Sequence, residues 1–406
     1  MSSFHKVILQ NGTIYTENEV IENAYLKIDE GKITEFGPMT ALTDLANYNI
    51  ITIPNGFSLI PGMIDIHIHG ANGADTMDGT KEALDVMATT LPKEGTTSFL
   101  ATTMTEDAAA IEKALENAGE YITSQQSAGN AEILGIHLEG PFIHKNKAGA
   151  QPIHHILNPD LETFKKWQML SGNQIKQVTL APECPGGKEV IQYLNKNGII
   201  ASIAHSDATY DQVIEAIENG LNQVTHLFNQ MTGLHHRDPG IVGAAFLRDE
   251  LMVELIVDGI HSRPEAVKLA YNQITDERMI LITDSMRAKW LENGVYDLGG
   301  QMVTVKDGRA LLDENTLAGS VLKMKDAFKN IQVFTQCDIQ SAIKMASENP
   351  AKQLNVFDRK GSISVGKDAD IVVLDEQMDV YMTLCKGKVA YSKNLKVKTE
   401  SEQAIN

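Results

Sequence analysis

The 406-residue chain contains only three cysteines, Cys184, Cys337 and Cys385, which lie far apart in the sequence. They show none of the close pairing of zinc sites, and their odd number argues against a disulfide framework. The sequence also lacks an apolar run of about 18 residues and the apolar core of a secretory signal. We therefore expect a cytoplasmic protein in a reducing compartment, without a membrane-spanning segment.

Basic residues are in the minority, with 35 Lys and Arg against 53 Asp and Glu, and the formal net charge is −18. A surface of this sign repels nucleic acid and anionic lipid, so neither is expected as a partner. The chain is 43% hydrophobic and 22% charged, which is typical of a globular protein. Its length suits either one large α/β barrel or two to three smaller domains.

Both ends of the chain alternate apolar and polar residues, as short β-strands do. The predicted strands span residues 5–16, 24–36, 50–60 and 370–374. Turns are predicted at Asn11-Gly12, Glu30-Gly31 and Lys386-Gly387, the last inside a hairpin. We predict that the two ends meet in one small sheet domain, formed by residues 1–57 and 357–406.

The middle of the chain, residues 58–356, alternates β-branched apolar runs with amphipathic helical segments. The runs that we interpret as strands are residues 64–68, 98–102, 133–138, 177–180, 199–204, 223–226, 252–257 and 279–282. Eight strands with helices between them predict a (β/α)8 barrel. A doubly wound sheet is the alternative, because periodicity does not show whether a sheet closes.

Polar side chains stand at the carboxyl ends of these predicted strands, which converge on one face of a barrel. His67 and His69 are two residues apart on the first strand, so they share a face and can bind one cation. Glu139 ends the third strand, where a carboxylate is costly to bury without a cation or hydrogen bonds. The ends of the fifth, sixth and eighth strands supply His205, His226 and Asp284. Any one of them has a structural explanation, but six donors at equivalent positions predict a metal site.

Longer motifs carry a resemblance to a known family. Residues 61–70, Pro-Gly-Met-Ile-Asp-Ile-His-Ile-His-Gly, resemble the opening strand of the amidohydrolase superfamily, and residues 361–372 resemble its C-terminal return to the sheet domain. Within that superfamily, the chain resembles the N-acetylglucosamine-6-phosphate deacetylases from about residue 5 to 390. The motifs that carry this closer similarity are residues 137–142, 205–208, 225–231, 258–261 and 283–286.

The resemblance implies a distorted (β/α)8 barrel of the TIM type, with a β-sandwich formed by both chain termini. It also implies one or two divalent ions, with zinc, iron, manganese and cobalt as candidates. Glu139, His205 and His226 correspond to the ligands of the ion that the family keeps throughout. His67 and His69 correspond to a second site, with Glu139 bridging and Asp284 near the first ion.

By the same resemblance, the protein hydrolyses N-acetyl-D-glucosamine 6-phosphate to D-glucosamine 6-phosphate and acetate. A metal-activated water would attack, and Asp284 would act first as general base and then as general acid. The alternatives are N-acetylgalactosamine 6-phosphate as substrate, another amide hydrolase of the superfamily, and a scaffold without activity. The intact set of ligands argues against the last of these.

Recognition of the phosphate has to come from local groups, because the net charge repels it. Arg237 can bind a phosphate bidentately, and in the resembling family this arginine reaches across a homodimer interface. Gln151 stands where some members have a histidine, and it can donate a hydrogen bond but cannot carry a proton. The full set expected to contact the amino sugar phosphate is Gln151, Asn229, Gln230, Arg237, His261, Leu317, Ala318 and Gly319.

Overall fold

The computed structural model describes residues 6–124 and 127–393. Residues 1–5 and 394–406, which include the first residue of the predicted strand 5–16 and the end of the predicted terminal domain, lie outside this part. No helix within the described ranges combines the length and the apolar composition needed to cross a lipid bilayer.

In the described part of the chain, eight parallel strands form a nearly closed barrel and follow one another in chain order. They are Met63–Ile68, Thr96–Thr102, Glu132–Glu139, Ile175–Leu180, Ile200–Ile203, Gln223–Val224, Met252–Ile256 and Met279–Ile282. A parallel bridge between Ile68 and Ser285 joins the last strand to the first. The barrel prediction is confirmed, and the doubly wound alternative is excluded by this closure.

The barrel strands are buried on both faces, as strands covered by helices must be. All four residues of Met279–Ile282 are buried, and so are all six of Met63–Ile68. The covering helices span Lys81–Thr90, Ala108–Thr123, Leu161–Leu170, Gly187–Lys196, Tyr210–Glu218, Gly240–Leu247, Pro264–Arg278 and Met324–Thr335. Three shorter helical segments follow at Ile339–Ile343, Lys344–Glu348 and Asn349–Gln353. The helix Gly240–Leu247 escapes sequence reasoning because it is apolar on all sides and has no amphipathic period.

A second sheet combines strands from both ends of the chain. Its described strands are Lys6–Tyr15, Val20–Asp29, Lys32–Pro38, Asn49–Thr52, Ser58–Pro61, Ile371–Leu374, Val380–Cys385 and Lys388–Ser392. The C-terminal part joins the N-terminal part through antiparallel pairing of Ile371–Leu374 with Ser58–Pro61. We propose that residues 1–57 and 357–406 form one domain and residues 58–356 the other, although the strand Ser58–Pro61, at the start of the second range, pairs within the terminal sheet.

Two of the three predicted turns in this sheet are confirmed, and one is wrong. Lys386-Gly387 and Glu30-Gly31 connect paired strands, and all four residues have positive φ, as two-residue hairpin turns require. Asn11-Gly12 does not turn the chain, because the strand Lys6–Tyr15 continues through it with a shift of register. The Asn-Gly pair forms a β-bulge here, which uses the same positive φ at Asn11.

A group of buried and partly buried charges joins the third barrel strand to the terminal sheet. The Glu132 carboxylate lies 2.9 Å from Lys360 Nζ, 3.0 Å from Arg359 Nη1 and 3.2 Å from Lys386 Nζ. Lys360 also pairs with Asp370. Burial raises the pKa of Glu132, but the positive charges of Lys360 and Arg359 outweigh burial and lower this pKa to about 2. The folded structure therefore depends on the ionised form of Glu132.

We predict that Glu132→Gln lowers the free energy of unfolding by roughly 1–3 kcal/mol at pH 7. The pKa falls from an ordinary value of 4.5 to about 2 on folding, so the carboxylate contributes its full stabilisation above 4.5. That contribution disappears as the pH falls toward 2. Urea unfolding of wild type and Glu132→Gln should show a constant difference in the free energy of unfolding near neutral pH. Below about pH 4.5 this difference should shrink.

The matched control is Glu120→Gln, at an exposed position of the helix Ala108–Thr123, which should change stability by less than about 0.5 kcal/mol. If the free energies of unfolding of wild type and Glu132→Gln differ by the same amount at every pH, the role of the Glu132 charge is contradicted.

Candidate metal centre

The structure brings the six predicted ligands together at the carboxyl face of the barrel, around the buried Glu139 carboxylate. Glu139 Oε1 lies 3.1 Å from His226 Nε2 and 3.4 Å from His205 Nε2. His69 Nε2 lies 3.2 Å from Glu139 Oε2 and 3.3 Å from Asp284 Oδ1. Nε2 of His67 is 3.5 Å from the same oxygen of Asp284. Residues more than two hundred positions apart in the sequence therefore share one centre.

Three of these side chains point into the centre because their backbone leaves the strand conformation. His205, His226 and Asp284 have φ values of 47°, 34° and 47°, in the left-handed region that residues other than glycine seldom adopt. Each such residue costs about 1–3 kcal/mol, a cost found at functional sites where the surrounding structure enforces it. Three of the six predicted ligands thus have a left-handed backbone, as do Phe228 and Gln230 close to them in the sequence.

The donor set fits divalent cations. Two groups, His67–His69–Glu139 and Glu139–His205–His226, place their ligand atoms within 4.8 Å of one another, and Glu139 belongs to both. Ligands about 2.1 Å from a tetrahedral zinc ion lie about 3.4 Å apart, close to the spacings found here. Nε2 of His67 is buried and has no hydrogen-bond partner among the described residues. A cation bound by this nitrogen would satisfy it.

The carboxylates and imidazoles of the centre shift one another's pKa values. Burial raises the pKa of Glu139, but the surrounding imidazoles, His67 foremost, hold it well below its ordinary value. Burial also raises the pKa of Asp284, and His67 and His69 outweigh that effect. For His69, burial lowers the pKa, whereas hydrogen bonds to Asp284 and Glu139 raise it to about 10. The centre thus holds both carboxyl groups as anions, the form that binds a cation.

Two of the histidines are oriented by hydrogen bonds from the nitrogen that faces away from the centre. His205 Nδ1 lies 2.8 Å from the carbonyl oxygen of Lys147, to which its N–H donates. His67 Nδ1 lies 3.0 Å from Glu254 Oε2, at the side of the ring opposite Glu139. Partners of this kind fix the ring and leave Nε2 available as a ligand.

A cavity of about 230 Å³ opens above the centre. Gln151 lines it, but both ends of its amide are engaged: Nε2 donates to Glu139 Oε2 at 3.0 Å, and Oε1 accepts from the Thr105 N–H at 2.9 Å. Gln151 therefore holds the Glu139 carboxylate in place as well as facing the cavity.

Five of the other residues predicted to contact substrate line the same cavity. They are Asn229, Gln230, His261, Leu317 and Gly319. His261 Nδ1 lies 2.7 Å from Asp258 Oδ2, and this hydrogen bond outweighs burial and raises the pKa of the imidazole. Ala318, between two lining residues, does not line the cavity, because its side chain packs with Met286 and Leu298 in a small apolar cluster.

Arg237 lies on an exposed loop and does not line the cavity of the same chain. The loop is a tight turn in which His235 and Asp238 form an isolated bridge, and Arg237 Nη1 lies 2.7 Å from His236 Nε2. Within a single chain, the structure does not bring the predicted phosphate ligand to the remaining substrate-contacting residues.

Sequence reasoning missed three parts of this region. Glu254 lies at the middle of the seventh barrel strand, and the signal was available: a charged residue inside the apolar run 251–257. Asp65, whose carboxylate accepts a hydrogen bond from Thr283 Oγ1 at 2.5 Å, fastens the first strand to the eighth beside Asp284. The antiparallel strands Gly294–Leu298, Gln301–Lys306 and Arg309–Leu311 follow the last barrel strand, and Leu298 reaches the cavity.

A (β/α)8 barrel whose strand ends gather histidines and carboxylates around a shared glutamate has the arrangement of a metal-dependent hydrolase. Comparison with known proteins agrees with this class: residues 58–390 match the model of the Amidohydrolase family. The chain belongs to the amidohydrolase family, as its motifs predict, and it is an enzyme of the hydrolase class.

Three relatives define its position in the family. The chain is 48% identical to the N-acetylglucosamine-6-phosphate deacetylase of Bacillus subtilis over 386 residues, which is 95% of this chain and 97% of the relative. It is 33% identical to the N-acetylgalactosamine-6-phosphate deacetylase of Escherichia coli O157:H7 over 383 residues, or 94% and 99% of the two chains.

The third is a solved structure of a mutant N-acetyl-D-glucosamine-6-phosphate deacetylase from Mycobacterium smegmatis in complex with N-acetyl-D-glucosamine-6-phosphate. Its sequence is 27% identical, its TM-score is 0.88, and the match covers 95% of this chain and all of the other. The predicted resemblance to the deacetylases is confirmed by these comparisons.

Proposed function

We propose that this protein hydrolyses N-acetyl-D-glucosamine 6-phosphate to D-glucosamine 6-phosphate and acetate, with divalent metal as cofactor. The observation that carries the proposal is the shared carboxylate: Glu139 joins two sets of donors in a chain that is 48% identical to a deacetylase of this specificity. The substrate cavity opens directly above these donors.

Glu139, His205 and His226 would hold the first ion, and His67, His69 and Glu139 the second. Asp284, which the resemblance places near the first ion, lies 3.3 to 3.5 Å from both histidines of the second set. A divalent ion bound there polarises a carbonyl oxygen as a Lewis acid and lowers the pKa of water to about 7. Imidazole and carboxylate donors suit zinc, iron, manganese and cobalt, which are the candidates for the ion.

Asp284 has the position of the residue that moves the proton. Its carboxylate lines the cavity, its Oδ1 lies near both His67 and His69, and its pKa is held below the ordinary value. As an anion it can accept a proton from the attacking water and then donate it to the departing nitrogen. Gln151, fixed between Glu139 and Thr105, cannot take over this step because an amide does not carry a proton.

We propose that Asn229, Gln230 and His261 bind the sugar and its phosphate, and that the loop 316–319 bounds the acetyl group through Leu317 and Gly319, with Ala318 supporting the loop from beneath. The described cavity lining contains no lysine or arginine, so a phosphate there lacks a permanent counter-charge. An exposed Arg237 contributed by the second subunit of a homodimer would supply it.

The described cysteines form no disulfide, which supports the proposed cytoplasmic location.

The function is tested by comparing three substrates with one preparation of the metal-loaded enzyme. We expect the largest kcat/KM for N-acetylglucosamine 6-phosphate, a smaller value for the galactosamine epimer, and a value lower by at least about 100-fold for unphosphorylated N-acetylglucosamine. Equal turnover with and without phosphate would exclude the proposed phosphate recognition. A preference for the epimer would assign the specificity of the relative that is 33% identical.

We predict that Asp284→Asn lowers kcat by about 10²–10⁴-fold, because an amide cannot act as general base or acid. Elemental analysis should still find at least one metal ion per chain, because Glu139, His205 and His226 are unchanged in this variant. Asp307→Asn, in an exposed turn, is the control and should leave kcat unchanged. A variant of Asp284 that retains most of its activity would contradict the proton-transfer role.

For Arg237→Ala we expect the KM of the phosphorylated substrate to rise about 10–100-fold, the effect of losing charge-assisted hydrogen bonds. Turnover of unphosphorylated N-acetylglucosamine should change little, because that substrate has no phosphate to bind. Arg263→Ala, which removes another exposed arginine, serves as the control. An effect confined to kcat, or equal for both substrates, would show that Arg237 does not bind the phosphate.

A further inference from the structure

Glu254 is a carboxylate buried inside the barrel, below the proposed metal centre. It lies on the seventh strand, Met252–Ile256, and its side chain has no exposed surface. Taking a carboxylate out of water is costly unless a positive charge or several hydrogen bonds compensate. Among the described residues, its one ion-pair partner is the His67 ring.

Three donors from three other strands converge on the Glu254 carboxylate. Its Oε1 accepts hydrogen bonds from Gln177 Nε2 at 2.6 Å and from Gln223 Nε2 at 2.7 Å. Its Oε2 accepts from His67 Nδ1 at 3.0 Å. Both oxygens act as acceptors, which is the hydrogen-bonding pattern of an ionised carboxylate. The two glutamines thus fix the position of the group that holds His67.

The consequence for His67 concerns which of its nitrogens carries the proton. A hydrogen bond from Nδ1–H to Glu254 leaves Nε2 without a proton whenever the ring is neutral. Nε2 is the atom that faces Glu139 and Asp284, and it has no hydrogen-bond partner among the described residues. The buried carboxylate therefore selects the tautomer in which Nε2 can bind a cation.

We propose that Glu254 is the positioning residue of the second metal ion, acting through His67. Its negative charge makes the imidazole a stronger ligand, and its fixed position sets the direction of the ring. The first ion relies on a different support, because His205 Nδ1 donates to the backbone carbonyl of Lys147. Loss of the Glu254 charge should therefore weaken one ion and spare the other.

The test is Glu254→Gln, which keeps the shape of the side chain and removes its charge. Purified protein is dialysed against a series of buffered free Zn²⁺ concentrations, and zinc per chain is measured by elemental analysis. We expect wild type to bind two ions, and the variant to keep the tighter ion while binding the other about 10–100-fold more weakly. Two ions bound with wild-type affinity, or equal weakening of both, would overturn the proposal.

Two further variants separate positioning from a general loss of a buried charge. Glu132→Gln removes a largely buried carboxylate from the third barrel strand and should keep both ions. In a His67→Ala background, Glu254→Gln should cause no additional loss of zinc, because the residue it acts through is gone. An additional loss of the same size as in wild type would show that Glu254 acts by another route.

A measurement on the unmutated protein covers the case in which Glu254→Gln does not fold. In zinc-loaded protein with ¹⁵N-labelled histidine, NMR should show His67 with a proton on Nδ1 and the metal on Nε2. The opposite assignment would refute the role of Glu254. The inference rests on the proposed two-metal centre, but zinc content and NMR do not depend on the substrate, so it can fail while the deacetylase proposal stands.

Discussion

The structure depends on one buried carboxylate that several imidazoles share. Glu139 has almost no exposed surface, and the Nε2 atoms of His67, His69, His205 and His226 lie 3.1 to 3.5 Å from its oxygens. Such a concentration of buried polar groups is unfavourable without compensating charge. It becomes favourable when positive charge, from protons or from metal ions, sits between them. The proposed metal chemistry and the stability of the barrel interior are therefore two aspects of the same electrostatic arrangement.

The fold supplies this arrangement by closing a parallel sheet. Closure at Ile68 and Ser285 places the ends of the first and eighth strands side by side, so that Asp284 faces His67 and His69. At several strand ends the backbone adopts a left-handed conformation that turns a ligand inward. The sheet built from both termini has a different role. It stabilises the barrel through charges such as Lys360, which pairs with Glu132 at the start of the third strand, and it leaves the carboxyl face free for chemistry.

The sequence predicts the parts of the molecule that follow a strong local pattern. All eight barrel strands and the six ligand candidates are recognisable, because buried strands are apolar and a polar residue at such a strand's end is unusual. The role of Glu254 is not predictable in this way. A charged residue inside an apolar run is unusual, but its hydrogen-bond partners lie on other strands and are known only from the folded structure. The turn predicted at Asn11-Gly12 is wrong for a related reason. The same dihedral angles occur in a turn and in a bulge, and strand pairing decides between them.

The most direct test of the central claim is to locate the ions. Crystals grown with Zn²⁺ would be measured with X-ray energies above and below the zinc absorption edge, so that the anomalous signal identifies zinc alone. The account predicts two peaks, one among Glu139, His205 and His226 and one among His67, His69 and Glu139, with Glu139 between them. Anomalous density only outside these side chains, in a correctly folded barrel, would contradict it.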